Sequence, residues 1–254
     1  MPSSPPGALA RSRKPRRGRE LLCEAVFRPL AHPLVLVLAR LQVPPPLVVA
    51  AAGVAGLTAA IEVGRGSFIA AALVVQVKTL LDNADGQLAR LTGRTSAFGR
   101  YLDSEVDLLV NAGLFAALGW TTGQPALALL AFLALTSVLS LNFNVERLAH
   151  VTAVAEPEPE GRRTAFLRGV YRVVYAPQDR LAESLVARGS WLTGARSAAL
   201  LANLGMSTQL AVFGLLLALG HPLVFAWLAL AQVAAIALAL LPWRTVWRRE
   251  EVAR

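Results

Sequence analysis

A single cysteine, Cys23, among 254 residues rules out an internal disulfide. The three histidines, His32, His150 and His221, are scattered, so a zinc site built from His and Cys ligands lacks donors. Charge is scarce too. Only 16% of residues are Asp, Glu, Lys or Arg, against roughly 25% in an ordinary soluble domain, while 55% are hydrophobic. With a mean hydropathy of +0.52 and long apolar blocks parted by short breaks, the composition is that of a polytopic helical membrane protein. No internal repeat is visible, which weighs against a secondary transporter made of inverted halves. A cleaved leader is not expected, because Glu20, Glu24 and Arg28 interrupt the apolar residues after the basic start. Leu21-Leu22-Cys23 also lacks the apolar stretch that a lipidation signal needs.

The net charge of +9 is unevenly spread. Arg11, Arg13, Lys14, Arg16, Arg17 and Arg19 crowd the N-terminus, and Arg244, Arg248 and Arg249 follow the last apolar block. A basic tail beside membrane spans is explained by the positive-inside rule and by anionic headgroups, so the lipid bilayer is the expected partner and nucleic acid is not. Residues 1–43 read as a basic tail followed by an interfacial amphipathic helix from Glu20 to about Val43, broken at Pro29 and Pro33. Pro44, Pro45 and Pro46 stop it and open the next element. Six transmembrane helices are expected at about 45–61, 67–83, 100–119, 125–144, 197–219 and 222–242, giving an all-α integral membrane domain over 44–243. The loop at about 145–196 holds the extended Glu156-Pro-Glu-Pro-Glu160 piece. After it, Phe166, Leu167, Val170, Val173 and Val174 interleave with Arg162, Arg163, Arg168 and Arg172 at near-helical spacing, an interfacial helix before a substrate-contacting one. Residues 244–254 form a short tail. The breaks at 62–66, 120–125 and 220–222 carry one basic residue between them, Arg65, so both termini, the 145–196 loop and the 84–100 connection fall on the cytoplasmic side of a cell membrane.

Against this apolar background, Asp82, Asp85, Asp103 and Asp107 stand together at the cytoplasmic ends of the second and third spans. Ionisable groups at membrane depth mark functional sites, since a cation, a partner or water must offset their desolvation. On helices, Asp82, Asp85 and Gly86 share one face with Ala89 a turn further on, and Gly99, Asp103, Asp107 and Asn111 recur at intervals of four. Any one acid could be a helix cap or an ion-pair partner, but capping needs one acid per helix end and like charges repel in low dielectric. A calcium loop fails as well, because it would put Leu81 and Thr92 at ligand positions. Oxygen-only ligation suits Mg2+ or Mn2+, and four carboxylates can hold two ions that share ligands. Lys78, one turn before Asp82, pairs with it or steers phosphate, the pair being the simpler reading.

The pattern Asp82-x2-Asp85-Gly86-x2-Ala89-Arg90-x8-Gly99-x3-Asp103-x3-Asp107 resembles the complete signature of the CDP-alcohol phosphotransferases, class I. The likeness is close over the motif and broad over the six-span layout. It implies an enzyme that takes a CDP-linked lipid, commonly CDP-diacylglycerol, and transfers its phosphatidyl group to a polar alcohol with release of CMP. It implies, further, that Asp82, Asp85, Asp103 and Asp107 ligate metal, that Asp107 is the catalytic base, and that Arg90 holds the diphosphate. Gly86, Ala89 and Gly99 would give the cytidine nucleotide room, and the protein would be a homodimer. Serine, glycerol 3-phosphate and inositol phosphate are all open as acceptors. Lys78, Arg94, Arg100 and the arginines of the 145–196 loop would make the mouth of the cleft electropositive and favour an acceptor that carries phosphate.

The rival from another class is a cation or metal transporter that uses the same acids as a transport site. Arg90 argues against it, because a cation pathway has no use for a fixed positive charge beside its ligands. The layout is tested by topology: a cysteine introduced at either terminus is expected to react with an impermeant maleimide only from the cytoplasmic side. Labelling of the C-terminus from outside would break the six-span count.

Overall fold

The computed structural model describes residues 19–149, 161–188 and 195–240. All elements among them are helical. A π-helical turn at Cys23–Phe27 runs into α1 (Arg28–Arg40), followed by α2 (Pro45–Gly64), α3 (Phe68–Leu91), α4 (Ala97–Thr122) and α5 (Pro125–Ala149). Two amphipathic helices, α6 (Arg162–Val174) and α7 (Ala176–Arg188), precede α8 (Ala195–Ala202), α9 (Met206–Ala218) and α10 (Pro222–Leu240). Three stretches among the described residues, Pro45–Gly64, Pro125–Glu146 and Pro222–Ala239, are long and apolar enough to cross a membrane. The basic runs at 11–17 and 244–249 and the Glu156–Glu160 piece lie outside the described residues.

Sequence punctuation accounts for most boundaries. Pro44 is the extended N-cap of α2, with Pro45 and Pro46 in its first turn, where no amide donor is missed. Gly66, Gly93 and Gly123 end α2, α3 and α4 in the left-handed region that glycine adopts without a Cβ penalty. Ser96 caps α4, its hydroxyl accepting from the Gly99 amide at 3.0 Å.

Two expectations changed. Pro29 and Pro33 do not interrupt the N-terminal helix; α1 runs through Pro33, which leaves the Pro29 carbonyl without its intrahelical donor. Burial offsets that loss, because Ala31 and Val35 of α1 pack into a cluster with Ala84 and Leu88 of α3. The continuous helix expected at 197–219 is divided between α8 and α9 by a turn at 203–205. That turn is held by the chain start: the Leu21 amide donates to Asn203 Oδ1 at 2.9 Å, Asn203 Nδ2 donates to the Arg19 carbonyl at 3.0 Å, and Glu20 Oε1 accepts from the Thr208 amide at 2.9 Å. Glu20 thus caps α9 from outside it, over Gly205, where an added Cβ would meet the carboxylate at 2.7 Å. Within the 145–196 loop, α6 packs on α4 and α7 packs on α5.

The apolar core lies among α2, α3, α4, α5, α9 and α10, around Val63, Val75, Leu118, Leu135, Leu217 and Phe225. Phe213 and Phe225 meet with ring centroids 4.8 Å apart. Within this core α2 packs along both α3 and α4, which have little direct packing against each other. Small residues make the contact. A Cβ on Gly53 would meet Val106 Cγ1 at 2.8 Å, and one on Gly56 would meet Val110 Cγ1 at 2.5 Å, so both glycines admit the valines directly against the α2 backbone. Val106 and Val110 each precede a site residue, Asp107 and Asn111, by one position, or about 100° of helix rotation. Seating the valines on α2 therefore turns the polar stripe toward the gap between α3 and α4.

Gly56→Ala is expected to lower the thermal midpoint of the detergent-solubilised protein by the equivalent of about 1–3 kcal/mol, the usual cost of overpacking. Val110→Ala in the same chain should recover most of it. An unchanged midpoint for the single variant would mean that the two helices are not locked at this contact.

Candidate active site

The ends of α3 and α4, closed by the chain start and by α5, α6, α7 and α9, form a cleft of about 330 Å3, within the roughly 300–1,000 Å3 of small-molecule sites. Asp82, Asp85, Gly86 and Arg90 of α3 and Asp103 and Asp107 of α4 line it together. Asp82, Asp85 and Asp103 each aim a carboxylate oxygen into one spot, all within 4.8 Å of one another. Asp85 is only 6% exposed and its Oδ2 is buried with no hydrogen-bond partner. A buried, unsatisfied carboxylate oxygen in a set of three acids is costly alone and is met by a hard divalent cation, so the donor set fits one.

Asp107 stands outside that triplet, turned onto Lys78. The Lys78 ammonium donates to Asp107 Oδ1 and lies 3.0 Å from Asp82 Oδ1, tying α3 to α4. The expected pair with Asp82 is present, and the bridge to Asp107 adds what spacing along one helix could not reveal. Arg90 curls back over Gly86, its Nη1 3.2 Å from where a Cβ would sit. Gly86 thus keeps open the space beside the guanidinium. Ala89 and Gly99 are half-buried and do not line the cleft; the Gly99 amide serves the Ser96 cap. Arg94 and Arg100 are exposed, Arg94 donates to the Gln42 carbonyl at 3.3 Å, and neither reaches the cleft wall. Of the groups expected to make the mouth of the cleft electropositive, these two are not among its lining residues.

Sequence reasoning missed several lining residues. Arg28 is buried at the cleft and ion-paired with Glu24, and Gln87 Nε2 fixes its carbonyl at 3.2 Å. Its signal was an arginine between apolar residues of α1. Asn83 joins the chain start to α9, accepting from Cys23 Sγ at 3.0 Å and donating to Ser207 Oγ at 3.0 Å. Tyr171, Tyr175 and Asp179, spaced by four along α6 and α7, form the wall contributed by the 145–196 loop. Tyr175 donates to the Ser104 carbonyl at 3.0 Å. Burial first, and then the neighbouring Asp107 and Glu105 carboxylates, push its phenol well above the ordinary range, so it remains a neutral donor.

Three helices of membrane-spanning length, and three carboxylates at a cleft that could hold a metal ion, fit a multi-pass membrane protein. The chain belongs to the CDP-alcohol phosphatidyltransferase family, whose model matches residues 30–247. Among its relatives are a bifunctional IPC transferase and DIPP synthase of Thermococcus kodakarensis, 33% identical over 107 residues, or 42% of this chain and 22% of that protein. A phosphatidylinositol phosphate synthase of Streptomyces avermitilis is 31% identical over 125 residues, 47% of this chain and 51% of that protein. An archaetidylinositol phosphate synthase of Pyrococcus horikoshii is 46% identical over 46 residues, 18% of this chain and 24% of that protein. In each case the matched part is less than two thirds of the relative's own length. No solved structure matches.

Lys78→Met leaves buried carboxylates uncompensated and is expected to cost roughly 3–5 kcal/mol of stability. The measurement is the thermal midpoint in chelator, with Mg2+ then recovering part of the loss by screening the same carboxylates. Equal midpoints for variant and parent would remove Lys78 from the structural account.

Proposed function

We propose that the chain transfers the phosphatidyl group, a substituted phosphate, from a CDP-linked lipid such as CDP-diacylglycerol to the hydroxyl of a polar alcohol, releasing CMP in phospholipid synthesis. The observation that carries this reading is the convergence of Asp82, Asp85 and Asp103, with Asp107 and Arg90 on the same cleft. A diphosphate needs cationic charge where its leaving phosphate departs, and an attacking hydroxyl needs a base. Family membership supports the same chemistry. A transport site would need neither the guanidinium of Arg90 nor the open space that Gly86 leaves beside it.

In this reading Asp82, Asp85, Asp103 and Asp107 hold Mg2+ or Mn2+, two ions with shared ligands, which would neutralise diphosphate charge and stabilise the departing CMP. Arg90 orients the diphosphate through charge-assisted hydrogen bonds. Gly86 gives the nucleotide room beside the Arg90 guanidinium. Asp107 accepts the proton of the alcohol as its oxygen attacks the phosphorus. Lys78 holds the Asp107 carboxylate in place before that step. Arg28, buried at the cleft and paired with Glu24, adds a second cation for an anionic substrate.

The membrane arrangement belongs to the same proposal: six spans over 44–243, with α3, α4 and the α8–α9 pair completing those of α2, α5 and α10. An N-terminal interfacial helix, both termini and the active site at the cytoplasmic face, and a homodimer complete it. The outward Leu30, Leu36, Val37 and Leu41 of α1 support its lying at the lipid boundary. The relatives' names point to an inositol phosphate as the first acceptor to supply.

With CDP-diacylglycerol, inositol phosphate and Mg2+ or Mn2+, release of CMP and a new lipid is the expected result, abolished by chelator. Asp107→Asn should lower kcat by at least about a hundredfold while leaving CDP-lipid binding within a few-fold, since an amide fills the position but cannot take the proton. Turnover in metal-free buffer would sink the site assignment. Equal losses of binding and turnover would make Asp107 chiefly a structural ligand.

A further inference from the structure

The wall facing the acidic cluster carries hydrogen-bonding groups that the transfer chemistry does not use. Asp179 of α7 lines the cleft and is held from three sides: Ser140 Oγ and Asn144 Nδ2 donate to its Oδ1 at 3.2 and 2.7 Å, and the Tyr171 hydroxyl donates to its Oδ2 at 3.0 Å. A carboxylate accepts about four hydrogen bonds, so Oδ2 has one acceptor position left over. Asp179 forms no ion pair among the described residues. Asn142, also on the cleft, has a buried side-chain oxygen with no partner. The vacancies on Asp179 Oδ2 and Asn142 Oδ1 are acceptors, so a ligand that meets them brings donors. Next to these groups Tyr171 and Tyr175 stack with centroids 4.9 Å apart, and the edge of Tyr101 meets Tyr171 at 5.5 Å. Aromatic rings bordering fixed acceptors suit a molecule with apolar C–H faces and several hydroxyls around its edge.

We propose that Asp179, Asn142 and the Tyr171–Tyr175 pair form an acceptor subsite that reads the hydroxyls of a cyclic polyol, with Asp179 as its specificity-determining residue. This rests on the transferase reading and deepens it. The acceptor enters with its ring against the tyrosines and one hydroxyl on Asp179 Oδ2, and another hydroxyl faces Asp107 across the same cleft. Glycerol 3-phosphate has too few hydroxyls to fill these positions, and neither it nor serine has a ring to lie against the tyrosines. Specificity then arises from buried acceptors that a smaller alcohol leaves unpaired, a larger penalty than the loss of apolar contact.

The full-length protein is assayed for CMP release from CDP-diacylglycerol with inositol phosphate, glycerol 3-phosphate or serine, and binding is read separately as protection from thermal unfolding by each alcohol. The parent is expected to prefer inositol phosphate. Asp179→Asn should raise the KM for inositol phosphate roughly tenfold or more, as for a lost hydrogen bond to a charged group, and leave the KM for CDP-diacylglycerol within twofold. Because Asp179 also ties α7 to α5, Asn142→Ala is the second variant; Asn142 makes no such tie, and it should raise the same KM by a smaller factor. A preference of the parent for serine or glycerol 3-phosphate overturns the subsite and leaves the transferase reading intact. So does an unchanged inositol phosphate KM in both variants, or a loss shared equally by all substrates. No CMP release with any alcohol, together with no protection by inositol phosphate, overturns both; protection that Asp179→Asn abolishes, without CMP release, overturns the transferase reading alone.

Discussion

Lys78, 1% exposed, donates to Asp82 on its own helix and to Asp107 on the next, and the rest of the site depends on that bridge. Four carboxylates at the ends of two helices repel, and α3 and α4 have little direct packing to hold them together. One buried ammonium between them offsets part of the repulsion and fixes two of the four side chains. Truncating it would cost more than the pair itself contributes, because the acids would stay behind in a poorly hydrated place. The proposed cation site is thereby pre-organised: Asp82 and Asp107 are positioned by Lys78, while Asp85 and Asp103 take their places from their helices.

Those helices are placed by packing. Gly53 and Gly56 let Val106 and Val110 onto the α2 backbone, and this contact sets both the rotation of α4 and its distance from α2. The polar stripe of Asp103, Asp107 and Asn111 then has one direction to point. Farther along α4, Phe115 stacks with Phe213 at 6.5 Å in the apolar core. Eight residues separate Asp107 from Phe115, about 12 Å of helix, so a single rigid element joins core to cleft.

The cleft is finished by segments whose part is tertiary. The chain start caps α9 through Glu20 and clamps Asn203, which brings Cys23 and Arg28 to the site. The α6 and α7 helices bring Tyr171, Tyr175 and Asp179 to the opposite wall. Their amphipathic pattern was legible, but an apolar stripe flanked by arginines is the same whether a helix rests on lipid or on protein. Arg94 and Arg100 illustrate the converse. Their proximity in sequence to the acids suggested a role at the cleft mouth, yet both are exposed, neither lines the cleft, and Arg94 donates to the Gln42 carbonyl.

The sequence by itself determined the helical membrane class, the family signature, and the two faces on which Asp82, Asp85 and Gly86, and Asp103 and Asp107, had to lie. Helical periodicity is a local property, and charges that hydrocarbon cannot solvate single themselves out. Tertiary structure decided that three of the acids converge while Asp107 turns to Lys78, and that the helix expected at 197–219 breaks where Glu20 caps it. It also decided that a segment between spans supplies a wall of the cleft. Each of these depends on partners distant in sequence, separated by 29 positions for Lys78 and Asp107, by 188 for Glu20 and Thr208, and by 35 for Asn144 and Asp179. No local pattern encodes such a distance, because it is set by how the helices pack.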